Sequence, residues 1–358
     1  MRLYPVVAIP ARNEEKHLPS LIRALGDQTW LAVRGRRLHI VLVLNNCDDA
    51  SAKVAVREAA YHPNLFLDLI EVDFSVEDAH VGSARRLAME RAWQISSDPM
   101  RCVLLTTDAD SAPTSTWIEA NLRASQAGAD IVGGRIIGDE AEEASLGAGF
   151  LRRASQQSRY AELTDRLATL IDPLPYDPWP RHSDHTGASL AVRANVYAAV
   201  GGMPALPFRE DLAFVSRARG SGYRLRHSLD VRVKVSARLD GRALGGMADC
   251  IKGWVEAEKK GSPHLVESPT SVAARLLRRR KCRDLEPSAL IELLETRADV
   301  NVASKPQSVS SPRSLNIPAL VELAAPEEPD ALSTVPVEVA ICQIERVISD
   351  AEGGTVVA

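Results

Sequence analysis

Short apolar runs alternate with amphipathic stretches along residues 1–138. Strands are expected at Leu3–Ile9, Leu38–Leu44, Phe66–Val72, Cys102–Thr106 and Ile131–Ile137. Between them, Glu14–Asp27, Ala50–Ala60, His80–Ile95 and Thr114–Ala127 carry apolar residues at the three- and four-residue spacing that one face of a helix requires. This alternation predicts right-handed βαβ units: a mostly parallel central sheet with helices on both faces. Pro113 stands where the first residue of a helix would, so the fourth helix is expected to start beside it.

Beyond residue 138 the pattern loosens. Glu140–Leu170 is polar and alanine-rich, with Leu146, Phe150, Leu151, Leu163 and Leu167 spaced for one or two helices. Asp172–Pro180 carries too many prolines for a helix or a central strand and reads as a functional loop. His185–Arg193 then reads as a strand, and Ala194–Val200 as a helix ended by Gly201 and Gly202. Glu210–Arg219 is a further helix closed by Gly220 and Gly222, and Val231–Val235 returns to strand alternation. After about residue 285, 303–312 and 325–330 look like linkers around two short helical patterns, Pro287–Arg297 and Val337–Ile348.

Composition narrows the function classes. A chain of 358 residues with 45% hydrophobic content can bury a sizeable core. The net charge of −4 shows no basic excess, so nucleic acid is not the expected partner. The apolar runs, such as Leu38–Leu44, fall well short of the roughly 20 residues a spanning helix needs. The opening MRLYPVVAIPARNEE meets proline and acidic residues too early for a secretory signal. Cys47, Cys102, Cys250, Cys282 and Cys342 show no CxxC spacing, which argues against a disulfide framework or structural zinc and fits a reducing cytoplasm.

Candidate chemistry gathers at strand ends. Asp108 and Asp110 follow the Cys102–Thr106 strand, at the edge where open α/β sheets bind ligands. Alternate residues of an extended segment point the same way, so two hard oxygen donors can converge on Mg²⁺ or Mn²⁺. Helix capping by Asp110 or Ser111 is the competing reading. Glu210 and Asp211 open a helix, where the macrodipole favours carboxylates whatever their role. The first-strand loop Ile9-Pro-Ala11-Arg-Asn-Glu14-Glu and the second-strand loop Asn45-Asn46-Cys-Asp48-Asp border the same sheet edge. Gly82 permits a close approach in the third helix, and Arg85 there can reach a phosphate or a base. His182, His185 and His227 are not expected to be ligands.

Taken together, these landmarks resemble family 2 glycosyltransferases of the GT-A fold over about residues 3 to 255. The resemblance also rests on Gly187-Ala-Ser-Leu-Ala-Val-Arg193 and Gly201-Gly202. It implies a single nucleotide-binding α/β/α sandwich over 1–255, with a nucleotide-binding half at 1–138 and an acceptor half at 139–255. A weakly structured helical and linker extension, partly disordered, would follow over 256–358. It implies Asp110 as the metal ligand, and Asp108 as a ribose or metal contact. Ala11, Glu14, Asn46 and Asp48 would meet the nucleoside, and Arg85 the base or diphosphate. Asp211 would be the catalytic base, with Glu210 beside it.

The activity implied is inverting, metal-dependent, single transfer of a hexose from a nucleotide-sugar to a small-molecule, glycan or lipid-linked acceptor. Asn45-Asn46 stands where many members carry paired aspartates, and no Gln-x-x-Arg-Trp follows Asp211, as it would in processive synthases. In the corresponding region, Arg238 and Arg242 are candidate clamps for diphosphate or an anionic acceptor. The setting expected is the cytoplasm, with at most peripheral contact at the inner membrane face. For that contact the candidate is Arg275–Arg283, whose cations otherwise form a solvated helix end. The alternatives are a non-catalytic nucleotide-sugar-binding scaffold and a nucleotidyltransferase, whose glycine-rich basic first loop is missing here. A Rossmann dehydrogenase is weaker still, since no GxGxxG follows strand one.

Overall fold

The computed structural model describes residues 2–241, 245–298, 316–326 and 333–352. Its first 138 residues form β1 (Tyr4–Ala11), α1 (Leu18–Gly26), β2 (Leu38–Asn45), α2 (Ser51–Ala59), β3 (Leu65–Val72), α3 (Val81–Gln94), β4 (Cys102–Thr106), β5 (Ser111–Pro113), α4 (Trp117–Gln126) and β6 (Ile131–Gly138). There follow α5 (Glu140–Ser145), α6 (Ala148–Ile171), β7 (Leu190–Arg193), α7 (Ala194–Ala199), α8 (Glu210–Gly220), β8 (Leu225–Val235) and α9 (Met247–Lys259). The remainder is β9 (Leu265–Glu267), α10 (Pro269–Asp284), α11 (Pro287–Ala298), α12 (Ile317–Ala324), β10 (Thr334–Pro336) and α13 (Val337–Glu352).

The main sheet has the order β3-β2-β1-β4-β7-β6-β8-β5. β3, β2, β1 and β4 run parallel, β7 is antiparallel to β4 and β6, β8 is parallel to β6, and β5 is antiparallel to β8. The chain moves outward from β1 to β2 and β3, then returns to β4 on the other side of β1. A crevice therefore opens between the carboxyl ends of β1 and β4, where the loops diverge to opposite sides.

The central strands β1, β2 and β4 are buried on both faces. Val7, Ile9, Ile40, Leu42, Val103 and Leu105 share one core with Leu21 and Ile22 of α1, Ala55 of α2 and Trp117 and Ile118 of α4. The intervening residues Val6, Ala8, Val41 and Val43 are equally buried and belong to the opposite face, as the two-residue repeat of a strand requires. There α3 packs across β1 and β2. The expected sheet between two helical layers is present.

Three departures from the expected elements have local causes. Pro113 does not start a helix: it ends β5, which pairs only with β8 at the edge of the sheet. An edge strand tolerates a residue without an N–H, as a helix start does. α4 begins later, at Trp117, with Thr116 at its N-cap making no side-chain cap bond. α1 likewise starts at Leu18 rather than Glu14, whose carbonyl instead closes a turn onto His17 and Leu18. β8 runs back to Leu225, beyond the expected Val231, because a register shift opposite Gly134 and Arg135 interrupts its alternation.

By its internal contacts the chain divides into two compact units. The first comprises Met1–Arg152, His182–Ser216 and Arg224–Lys260 and carries the main sheet. The second comprises Arg153–Arg181, Arg217–Tyr223 and Gly261–Ala358. In the second unit Tyr160, Leu163 and Leu167 of α6 pack with Val272 and Leu276 of α10 and Ile344 of α13. Its basic run is divided: Arg275 pairs with Glu267, Arg279 with Glu322, and Arg283 with Asp172, whereas Arg278, Arg280 and Lys281 are exposed. Residues 303–312 and 327–330 of the two expected linkers lie outside the described residues. Among the described residues no helix is long and apolar enough to cross a membrane.

Leu42 is fully buried at the centre of the parallel strands. Leu42→Ala is expected to lower unfolding stability by about 2–5 kcal/mol in a urea titration. Val76→Ala, at a position 97% exposed, is expected to change it by less than about 0.5 kcal/mol.

Candidate functional site

A cavity of about 470 Å³ opens at the carboxyl ends of β1, β2 and β4, all within the first unit. Ala11 and Glu14 line it after β1, Asn45 after β2, and Asp108, Ala109 and Asp110 after β4. Arg85 of α3, Glu210 and Asp211 of α8, and Arg238 beyond β8 complete its charged lining. The structure thus brings two acidic pairs a hundred positions apart in sequence to one crevice. Its size suits a small-molecule site of a few hundred Å³.

Arg85 holds that crevice together. Its Nε donates to Glu210 Oε1 at 2.8 Å, and one terminal nitrogen donates to Asp108 Oδ1 at 2.7 Å. The other donates to Thr106 Oγ1 at 3.0 Å and to the Gly187 carbonyl at 3.1 Å. Four of its five N–H groups are thereby committed to protein partners. The side chain is only 3% exposed. Burial alone would push the guanidinium down, but Asp108, Glu210 and Asp211 outweigh it and hold it above its ordinary range. Two glycines make room for this: a Cβ on Gly187 would overlap the guanidinium, and one on Gly82 would overlap the Leu206 carbonyl that packs against α3.

Asp110 and Glu14 share a second guanidinium. Arg238 forks onto Glu14 at 2.6 and 2.9 Å and reaches Asp110 Oδ2 at 2.8 Å. His17 bonds Glu14 Oε2 at 2.7 Å. Burial and the neighbouring Asp108 push the Asp110 carboxyl up to about 6, against the pull of Arg238. Neither aspartate caps a helix: α4 begins well beyond Asp110. The capping reading of Asp110 or Ser111 therefore has no helix to serve, and Ser111 opens β5 instead.

Glu210 and Asp211 open α8 after Arg209, which holds φ at 58°. A bulky residue there costs on the order of 1 kcal/mol or more, so the surroundings must enforce it. Asp211 Oδ2 accepts from the Gly187 N–H at 2.6 Å, and Oδ1 from the Leu212 N–H at 2.7 Å. Glu210, 3% exposed, is spent on Arg85. Asp211 is the less buried of the two and the better placed to face a ligand.

Not every expected residue joins the cavity. Asn46, with φ at 49°, exchanges side-chain bonds with the Phe74 backbone at 3.0 and 3.1 Å, and the Asp48 N–H bonds Asn13 at 3.0 Å. Both brace the loop ends, and neither lines the cavity, whereas Asn45 does. Strand parity could have indicated Asn45, which shares a face with Val41 and Val43 on the α3 side. Phe208, Met247 and Cys250 also line the cavity without having been anticipated, the last two because α9 carries no clear start signal. Arg242 lies outside the described residues. His185 and His227 bond each other at 3.1 Å away from this lining.

Residues 6–170, which supply the loops after β1 and β2 and the Asp108–Asp110 pair, match the family model described as glycosyl transferase family 2. That match covers residues 6–170 of the chain's 358. The matched segment spans β1 to α6, so Glu210, Asp211 and Arg238 lie beyond it. Solved structures similar to this chain include the mannosyltransferase PcManGT from Pyrobaculum calidifontis in complex with GDP-Man and Mn²⁺, at 16% identity, 91% and 86% coverage of this chain and that one, and TM-score 0.44. Another is S. aureus TarS 1–349 in complex with UDP, at 14% identity, 84% and 81% coverage, and TM-score 0.45. A third is glucosyl-3-phosphoglycerate synthase from Mycobacterium tuberculosis in complex with phosphoglyceric acid, at 14% identity, 74% and 81% coverage, and TM-score 0.38. No curated protein matches the chain.

Among the described residues no group of three or more His, Cys, Asp or Glu side chains is arranged to hold an ion. The crevice instead offers two aspartates, Asp108 and Asp110, and Mg²⁺ or Mn²⁺ commonly takes one or two carboxylates and completes its shell with phosphate oxygens and water. The donor set fits a cation shared with a ligand.

Removing Arg85 leaves Glu210 buried without its cation. Arg85→Met is expected to lower stability by about 3–5 kcal/mol in a denaturant titration. The double variant Arg85→Met/Glu210→Gln is expected to recover part of that loss, since no unpaired charge then stays buried.

Proposed function

We propose that this chain transfers a hexosyl group from a nucleotide-sugar to an acceptor hydroxyl, with inversion, in single steps, and with Mg²⁺ or Mn²⁺. The observation that carries this reading is the convergence of Asp108, Asp110, Glu210 and Asp211 on one crevice at the switch point of a family 2 domain. In this reading residues 1–138 serve the donor and 139–255 the acceptor.

The loops after β1 and β2 offer Ala11, Glu14, Asn46 and Asp48 to the nucleoside, with Asn45 nearer the cavity. Asp110, with Asp108 beside it, would hold the cation. When bound, that ion neutralises charge building on the departing diphosphate. Arg85 acts on the site indirectly, fixing Asp108 and Glu210 in place. Asp211 takes the proton of the acceptor hydroxyl. As the acceptor oxygen bonds the anomeric carbon from one side, the bond to the diphosphate oxygen breaks on the other. The two backbone N–H groups on Asp211 hold its carboxylate in place, and its partial exposure lets an acceptor reach it. The scaffold alternative would retain nucleotide binding without turnover.

Three outcomes test the reading. UDP or GDP is expected to raise the melting temperature only with Mn²⁺, and Asp110→Ala to abolish that shift. Because a cation must displace the proton from Asp110, binding is expected to weaken as pH falls through about 6 and to level off above it. Asp211→Asn is expected to lower kcat by about 10²–10⁴ while nucleotide affinity is kept. Turnover by Asp211→Asn at the wild-type rate would remove Asp211 from the role. Absence of any nucleotide-dependent shift in folded wild type would remove the glycosyl-transfer reading.

A further inference from the structure

The two arginines of the site are held in opposite ways. Arg85 is 3% exposed and bonded to four separate groups, two of them uncharged. Its guanidinium is a fixed part of the core. Arg238 is 20% exposed, and its strong bonds go only to carboxylates, Glu14 and Asp110. It contacts His17 at 3.3 Å besides. Its backbone is anchored just beyond β8: the Ser236 hydroxyl and the Ala237 N–H both bond Glu142 Oε2, and the Arg238 N–H bonds Ser236 Oγ at 3.2 Å. A tethered backbone with a long stem lets the head change partners without moving the chain.

The partners of that head are the groups that a cation and a donor would claim. A divalent ion on Asp110 needs the negative charge that Arg238 now neutralises, and the two cations repel at that separation. A diphosphate arriving with the ion supplies what the displaced guanidinium needs, since its planar fork matches phosphate oxygens as it matches a carboxylate. Without a ligand the fork also offsets the repulsion that Asp110 feels from Asp108 and Glu14.

We propose that Arg238 is an exchangeable counter-cation: it occupies the carboxylates of Glu14 and Asp110 in the free protein and passes to the donor's diphosphate when a divalent ion takes Asp110. This rests on the donor-site reading above. Arg238 thereby acts as a positioning residue that makes ion and nucleotide bind as a pair. The ion alone must evict a bound guanidinium. The ion with a diphosphate gives that guanidinium a new partner.

The test reads binding rather than turnover. Mn²⁺ affinity would be measured without nucleotide, by the electron paramagnetic resonance signal of free Mn²⁺, in wild type, Arg238→Met, Arg238→Gln and Arg238→Lys. UDP and GDP affinity would then be measured calorimetrically at saturating Mn²⁺. Arg238→Met and Arg238→Gln are expected to bind Mn²⁺ alone about tenfold more tightly than wild type and to bind the nucleotide about tenfold more weakly. Arg238→Lys keeps the charge and is expected not to gain Mn²⁺ affinity. Asp110→Asn is expected to lose the Mn²⁺ site. The use of both Met and Gln guards against one variant failing to fold, which circular dichroism would reveal. Unchanged or weaker Mn²⁺ binding by the neutral variants, with wild type binding UDP or GDP normally, would overturn the counter-cation role alone. Wild type binding neither nucleotide at saturating Mn²⁺ would overturn the donor-site reading and this inference with it.

Discussion

The buried guanidinium of Arg85 is the point on which the crevice depends. It joins α3, the end of β4, the loop before β7 and the start of α8 through four hydrogen bonds. A lone buried cation would be heavily penalised, and so would Glu210 at 3% exposure. Each makes the other tolerable. The pair contributes less to net stability than to placement: a buried ion pair roughly breaks even against apolar packing, but it fixes which groups must meet. Here it fixes the distance between the Asp108 side of the site and the Glu210-Asp211 side. Gly187 belongs to the same constraint, since a Cβ there would overlap the Arg85 guanidinium, and Gly82 lets the Leu206 backbone approach α3.

The sheet sets the stage for that bridge. Strands buried on both faces leave no solvent-facing side for polar chemistry, so charged residues collect where the strands end. At the switch point between β1 and β4 the loops leave in different directions and open space between them. The non-glycine residues with positive φ among the described residues, Asn13, Asn46 and Arg209, all stand in loops at or beside this rim. Asn13 and Asn46 carry short side chains that bond neighbouring backbone and tolerate such a conformation. Arg209 has no such excuse, and its strain is held by the Glu210 and Asp211 contacts that follow it.

What the sequence disclosed follows from how locally each feature is encoded. β1, β2 and β4 were legible because each is a short apolar run between turn-forming polar residues, and Asp108 and Asp110 because they sit directly after such a run. Pro113 was misread because an edge strand and a helix start both accommodate a missing N–H. Its fate is decided by β8, more than a hundred residues later in the chain. Glu14 was expected to open the first helix, yet its side chain pairs with Arg238, 224 positions away. Asn46 drew attention for its ligand chemistry, yet its side chain is spent on the Phe74 backbone, and the Asp48 N–H is spent on Asn13. The shortfall is consistently one of long-range pairing, which no local pattern carries.

Arg85 and Arg238 show why residue type alone could not assign roles in this site. Both are arginines facing aspartates across the same cavity. What separates them is desolvation and the identity of their partners. Arg85 sits where water cannot replace any bond it gives up, so moving its head would strand Glu210 and two neutral acceptors. Arg238 keeps a fifth of its surface in solvent, and every carboxylate it holds can be satisfied by another cation. Exposure lowers the cost of exchange, and an all-ionic partner set supplies competitors for it. A fixed guanidinium beneath the acids and an exchangeable one above them let the same cluster stay folded when empty and still admit a charged ligand.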